Sequence, residues 1–147
     1  KKKLGQSEKT LLIKPAPAQT LERWEQVTER LDPSLLAHLL GRYGQKTEQL
    51  FKLIDQNPAW AEPVCSHHAL LHAELIYAVQ EELACSVTDL LARRTQVAFS
   101  LCQGLDFLET VAGVLEQHGG YARSEIDLQI QGYHTFLASG VAFRKSS

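Results

Sequence analysis

The sequence predicts an all-α fold, a compact bundle of about six or seven helices behind an extended N-terminal leader. Three observations carry this. Apolar residues recur at three- and four-residue spacing in one segment after another from Thr20 onward. Gly or Pro closes most of those segments. No alternation of strand and helix patterns appears, and neither a fixed-period repeat nor a low-complexity stretch interrupts the series.

The first elements follow from local chemistry. Residues 1–19 read as a leader and linker, because Pro15 and Pro17 in KPAPAQ favour extended backbone and cannot join a helix interior. The short apolar run Leu11–Ile13 just before them could form one edge strand or pack on something absent from the chain. Residues 20–147 read as the helical domain. Thr20 is a good N-cap, and Leu21, Trp24, Thr28 and Leu31 then share a face. Asp32-Pro33 starts a second helix, with an N-cap followed by proline at the first helical position. Its expected buried stripe is Leu35, Leu36, Leu39, Leu40 and Tyr43, and Gly41 and Gly44 read as helix-end glycines. A third helix is expected over Thr47 to Asn57, with Leu50, Phe51, Leu53 and Ile54 inward and Asn57-Pro58 as its stop.

Residues 58–70 hold two prolines without periodicity and read as a loop. A fourth helix is expected from Leu71 to Leu83, with Leu71, Leu75, Val79 and Leu83 along one side. A fifth starts near Ser86 or Thr88, where Asp89 suits the positive helix end, and continues to about Leu101. Gly104 breaks the chain. A sixth covers Asp106 to Gln117, with Phe107, Leu108, Val111 and Leu115 inward, and ends at Gly119-Gly120. Ser124 and Asp127 resemble a capping box for a last helix reaching about Ala142, with Ile126, Ile130, Tyr133 and Leu137 inward.

Composition narrows the function classes. The chain has 147 residues, 44% apolar and 22% charged, which is enough to build a core without metal or disulfide. No apolar run approaches the ~20 residues of a membrane span. A net charge of −2 argues against nucleic-acid binding driven by bulk charge. Residues 1–57 carry ten Lys/Arg against seven Asp/Glu; the bias comes mostly from Lys1, Lys2 and Lys3, which read as solvated. No apolar stretch of the signal-peptide kind follows them. Cys65, Cys85 and Cys102 are odd in number and lack C-x-x-C spacing, so free thiols in a reducing compartment are expected.

Two groups of residues could carry chemistry. Cys65, His67, His68 and His72 offer a thiolate and three imidazoles in one short stretch, but no second ligand pair lies at a recognised distance. A structural or surface role is the expectation, and no metal ligand is assigned. The second group is Glu74, Glu82, Asp89, Arg93 and Arg94. Asp89 and Arg93 are four apart, in helix-supporting order. Arg93 and Arg94 interrupt an otherwise apolar stretch, so one of them should approach the core and need a carboxylate. Glu74 or Glu82, eight apart on the preceding helix, would supply it as an interhelical ion pair. The paired arginines could instead clamp a phosphate. No serine or histidine stands in a nucleophile arrangement, and neither a dinucleotide fingerprint nor a Walker loop is present.

The segment from Leu71 to Phe99 resembles the C-terminal helical domain of FAD-dependent glycerol-3-phosphate dehydrogenases. The family pattern is AE-x-x-Y-x-V-x-x-E followed by x-D-x-L-x-R-R-T. Ala73, Glu74, Tyr77, Val79, Glu82, Asp89, Leu91, Arg93, Arg94 and Thr95 supply it in order, and Glu81 stands where the family usually carries His. His38, Leu39, Tyr43 and Gly44 match the family's H-L-x-x-x-Y-G run, and Phe107 to Tyr133 is similar to its closing helices. The resemblance covers about residues 5–140. It implies a parent enzyme that oxidises sn-glycerol 3-phosphate to dihydroxyacetone phosphate and passes electrons to a quinone. FAD would sit in the parent's N-terminal FAD and substrate domain, so this chain should hold no cofactor and no catalytic residue of its own. Its expected partners are that domain and a second subunit, with no nucleic acid. The expected location is the cytoplasm, with the parent peripheral on the inner membrane. The rival reading is a free-standing helical protein-interaction module.

Overall fold

A computed structural model describes residues 23–146, with side chains described through residue 139. The expected leader and linker over 1–19, the Leu11–Ile13 run, and Thr20 and Leu21 of the first expected helix lie outside the described residues. Six α-helices run in chain order: α1 (Glu25–Thr28), α2 (Pro33–Tyr43), α3 (Thr47–Gln56), α4 (His72–Gln80), α5 (Leu108–Gly119) and α6 (Arg123–Ser146). Among the described residues there is no strand, only one isolated bridge between Pro63 and Leu71, so the all-α expectation is borne out. The chain forms two units. One takes residues up to Pro63 together with Leu71–Ala73, and the other takes Val64–Leu70 and everything from Glu74 on.

In the first unit, α1 is shorter than the expected helix. The N–H groups of Arg30 and Leu31 bond three residues back, to Val27 and Thr28, which tightens the chain and ends the α-helix. Val27 and Leu31 are therefore the buried pair, and Thr28 is only half-buried. Asp32 and Pro33 open α2 as expected. Leu39 and Tyr43 are buried, while Leu35, Leu36 and Leu40 are half-buried. Gly44 stops α2 with φ 55°, and Gly41 lies within its last turn. The buried Thr47 hydroxyl donates to the Leu39 carbonyl at 3.1 Å and ties the start of α3 to α2. Leu50, Phe51, Leu53 and Ile54 all face inward. Trp24 rests by Phe51, ring centroids 6.4 Å apart, and its indole N–H donates to Glu48. After Asn57 a single 3₁₀ turn, Pro58–Ala61, forms inside the expected loop. The Asn57 side chain accepts from Ala59 N–H there.

In the second unit the expected boundaries need two corrections. α4 ends at Gln80 rather than Leu83. The Ala84 N–H reaches back to the Ala78 carbonyl in a wide turn, which leaves Leu83 left-handed (φ 59°) and 78% exposed instead of inward. The helix that should run from Ser86 to Leu101 ends at Arg94. Its body, Asp89–Arg94, is a π-helical turn. Both the N–H and the hydroxyl of Thr95 bond the Leu90 carbonyl, five residues back, and Gln96 then turns left-handed (φ 60°). A 3₁₀ turn, Val97–Phe99, follows.

The start of this helix is firmly capped. The Ser86 hydroxyl accepts from Asp89 N–H at 3.0 Å, and the Asp89 carboxylate reaches back to Cys85 N–H at 3.2 Å. Further on, Gly104 (φ 77°) lets the backbone lie against Leu91 and Val97, where a Cβ would come within 3.1–3.3 Å of their methyl groups. The next 3₁₀ turn, Leu105–Phe107, delivers the chain into α5, which buries Val111 and Leu115 as expected. The cap of α6 is two residues earlier than expected. The Glu125 carboxylate accepts from Ala122 N–H, while Asp127 pairs with Arg123 at 3.1 Å. Ile126, Tyr133 and Leu137 are buried along α6, and Ile130 is half-buried.

Tyr133 fixes the 97–107 segment. Its hydroxyl donates to the Gln103 carbonyl, beside Gly104. Burial, and to a lesser degree the charge available at Cys102, push its phenol from 10.0 up to about 12.

Two predictions follow from these contacts. Asp89→Ala should cost about 1–2 kcal/mol, since a cap and a buried N–H partner are lost together. Arg93→Ala should cost under ~0.5 kcal/mol, because Arg93 is 81% exposed and meets Asp89 only at 3.7 Å; denaturant melts of the two variants test the contrast. The raised phenol gives a second. Between pH 10.0 and about 12 the unfolded chain ionises Tyr133 and the folded chain does not, so stability falls as pH rises through that window. Tyr133→Phe should flatten part of that fall in pH-dependent melts. Tyr77, also raised by burial and then by Glu82 and Glu81, keeps its own share.

Candidate functional site

The residues singled out as an ion-pair group occupy α4, the turn that follows it and the π-helical turn. Glu74 is buried in α4 at 2% exposure. Glu82 lies beyond the end of α4, so the helical face it was expected to share with Glu74 does not exist. Asp89 is nearly buried at the cap of the π-helical turn. Arg93 points to solvent and meets Asp89 within its own helix, at 3.7 Å, and Arg94 is half-buried. The R-R-T segment therefore ends an irregular helix inside the second unit.

The residues brought together lie elsewhere in the same unit. Segment 64–70 and segment 97–107 meet so that one donor atom each from Cys65, His67, Cys102 and Asp106 falls within 4.8 Å of all the others. His67 Nδ1 stands 3.6 Å from Asp106 Oδ2. An open cavity of about 560 Å³ adjoins them, lined by His67, His68, Ser100, Leu101 and Cys102. Of the four residues noted in the sequence, Cys65 and His67 belong to this cluster and His68 sits behind it. His72 lies in the first unit, at the start of α4.

The hydrogen bonds around His68 settle its role. The Ser100 hydroxyl donates to the Val97 carbonyl at 2.6 Å, so its oxygen is left to accept. His68 Nε2 stands 3.1 Å from that oxygen and 3.1 Å from Cys102 Sγ. The network thus places the proton on Nε2, shared between the hydroxyl and the sulfur. Gly104 N–H donates to the same sulfur at 3.4 Å. At Cys65, burial pushes the thiol up, the backbone N–H groups of His67 and His68 pull it down, and Asp106 and Cys102 push it up again. The balance at Cys65 is upward, so without an ion it favours the thiol.

Sequence reasoning missed Cys102 and Asp106 as members of this group. The usable signal was local: Ser100-x-Cys102-x-Gly104-x-Asp106 alternates polar ligand types with a glycine turn. What joins that segment to Cys65 and His67 is tertiary packing.

Comparison with known proteins completes the picture. A family described as the C-terminal domain of alpha-glycerophosphate oxidase matches residues 8–126. A glycerol-3-phosphate dehydrogenase of Synechocystis sp. is 28% identical over 108 residues, covering 73% of this chain and 20% of that protein. The glycerol-3-phosphate dehydrogenase of Mycobacterium leprae is 30% identical over 112 residues, 76% of this chain and 19% of its own. An aerobic glycerol-3-phosphate dehydrogenase of Staphylococcus saprophyticus is 31% identical over 97 residues, 65% and 17% respectively. No solved structure matches. The chain spans about a fifth of the length of these relatives. The resemblance read from Ala73 to Thr95 is borne out, and the chain belongs to the family of the C-terminal domain of alpha-glycerophosphate oxidase.

Proposed function

We propose that this chain serves as the C-terminal helical domain of an FAD-dependent glycerol-3-phosphate dehydrogenase, structural in role and inactive alone. The observation that carries the reading is the family match over residues 8–126, joined to relatives several times longer that bear the name of that enzyme. The parent would oxidise glycerol 3-phosphate to dihydroxyacetone phosphate, with FAD supplying the redox chemistry and a quinone as the acceptor. The described residues do not fit FAD. They contain no strand and so no strand-to-helix turn to cradle a dinucleotide pyrophosphate. The flavin and substrate domain is thus the N-terminal partner of this chain, in a cytoplasmic enzyme peripheral on the inner membrane. No helix among the described residues is long and apolar enough to cross a membrane.

What this chain contributes is packing. Its second unit leaves Phe99, Leu101, Leu105 and Phe136 exposed, with the Phe99 and Phe136 rings 6.3 Å apart. Large apolar side chains that stay wet in the isolated chain suit cover by the parent's catalytic part or by a second subunit. A free-standing interaction module has no observation in its favour beyond these same residues.

Expression of these 147 residues alone, beside the polypeptide that continues them on the N-terminal side in the native reading frame, tests the proposal. The longer protein should carry flavin absorbance and reduce an artificial acceptor with glycerol 3-phosphate, and the short one should do neither. Flavin or turnover in the short chain, or neither in the long one, would refute it.

A further inference from the structure

We propose that Cys65, His67, Cys102 and Asp106 form a zinc-class metal site that clips segment 64–70 to segment 97–107. Two thiols, an imidazole and a carboxylate are the donor types that zinc accepts in four-coordinate sites, at about 2.3 Å for sulfur and 2.0–2.2 Å for nitrogen and oxygen. Hard cations such as calcium or magnesium would not choose this set. The four donor atoms already lie within 4.8 Å of one another. A tetrahedron with zinc bond lengths has edges of roughly 3.4–3.8 Å, so closure on an ion asks each donor to move inward by under ~1 Å. The His67–Asp106 edge, at 3.6 Å, is nearly there.

The surroundings are those of a ligand set. Cys102 Sγ faces the shared N–H of His68 and the backbone N–H of Gly104, the outer hydrogen bonds that orient a metal-bound thiolate. His68 Nε2 is engaged with Ser100 and Cys102, which explains why this adjacent imidazole is not a second nitrogen ligand. The half-exposed His67 and Asp106 side chains, 63% and 42% accessible, leave a route for the ion. Bound zinc would displace the thiol protons and hold both sulfurs as thiolates. It would also fix two stretches that hold little regular structure, and it does so whatever redox chemistry the parent performs.

The test is a cobalt(II) titration of the chain, purified under reducing conditions and stripped with a chelator, followed by displacement with zinc. One equivalent of cobalt should give tetrahedral ligand-field bands and a thiolate-to-cobalt charge-transfer band, and zinc should bleach both and raise the melting temperature. Cys65→Ser and Cys102→Ser should each remove about half of the charge-transfer intensity or more, while Cys85→Ser should leave it intact. His68→Ala should weaken binding about 10–100-fold without changing the number of sulfur ligands. Asp106 is exposed, so Asp106→Asn should fold normally and still weaken binding. The proposal is overturned by absence of the charge-transfer band in the wild-type chain. It is equally overturned if the band keeps its full intensity in either cluster cysteine variant, or if Asp106→Asn binds as the wild type does.

Discussion

The second unit depends on how segment 97–107 is held. Three contacts hold it: the Tyr133 hydroxyl on the Gln103 carbonyl, the Gly104 backbone laid against Leu91 and Val97, and Phe107 sunk into the core. Each uses a different part of the chain. α6 supplies a buried hydrogen bond, the π-helical turn supplies an apolar floor, and the segment's own glycine supplies the left-handed conformation that a side chain would obstruct. Between these anchors lie Ser100, Cys102 and Asp106. Their placement against Cys65 and His67 follows from the anchoring, since segment 97–107 contains only two single 3₁₀ turns to organise itself.

Much of the fold was legible because helices announce themselves locally. Asp32-Pro33, the Leu50–Ile54 stripe, Gly44 and Gly120 as stops, and the Ile126–Tyr133–Leu137 row all read correctly from spacing and capping chemistry. The failures share one cause. Leu83, Gln96 and Gln103 all adopt positive φ, yet none is a glycine or asparagine that would advertise it. Two of them end helices that the apolar pattern would have continued. The π-helical turn at Asp89–Arg94 is equally silent, because a five-residue hydrogen bond leaves no distinct periodicity over six residues. The unwound geometry turns Arg93 to solvent and towards Asp89, within its own helix, and leaves Arg94 as the arginine nearer the core.

The cysteine and histidine cluster was half legible. Cys65 and His67 stood out by composition, but a ligand set assembled from two irregular segments is a tertiary fact, and no local spacing rule reports it. The family resemblance, by contrast, was readable in the R-R-T register, which ends an irregular helix. Those residues terminate it on a buried floor, which is a packing duty. A domain of this kind specifies shape for a larger enzyme and need not carry that enzyme's chemistry.

The most direct measurement of the central claim is controlled oxidation of the metal-free chain, followed by peptide mapping. With Cys65 and Cys102 sulfurs held within 4.8 Å, an intramolecular Cys65–Cys102 disulfide should form first and leave the exposed Cys85 free. The Tyr133→Phe chain, with one anchor removed, should form it more slowly. If Cys65 and Cys102 instead react independently with alkylating agents, and no mutual cross-link appears at any stage, then the two segments do not meet and the account of this unit fails.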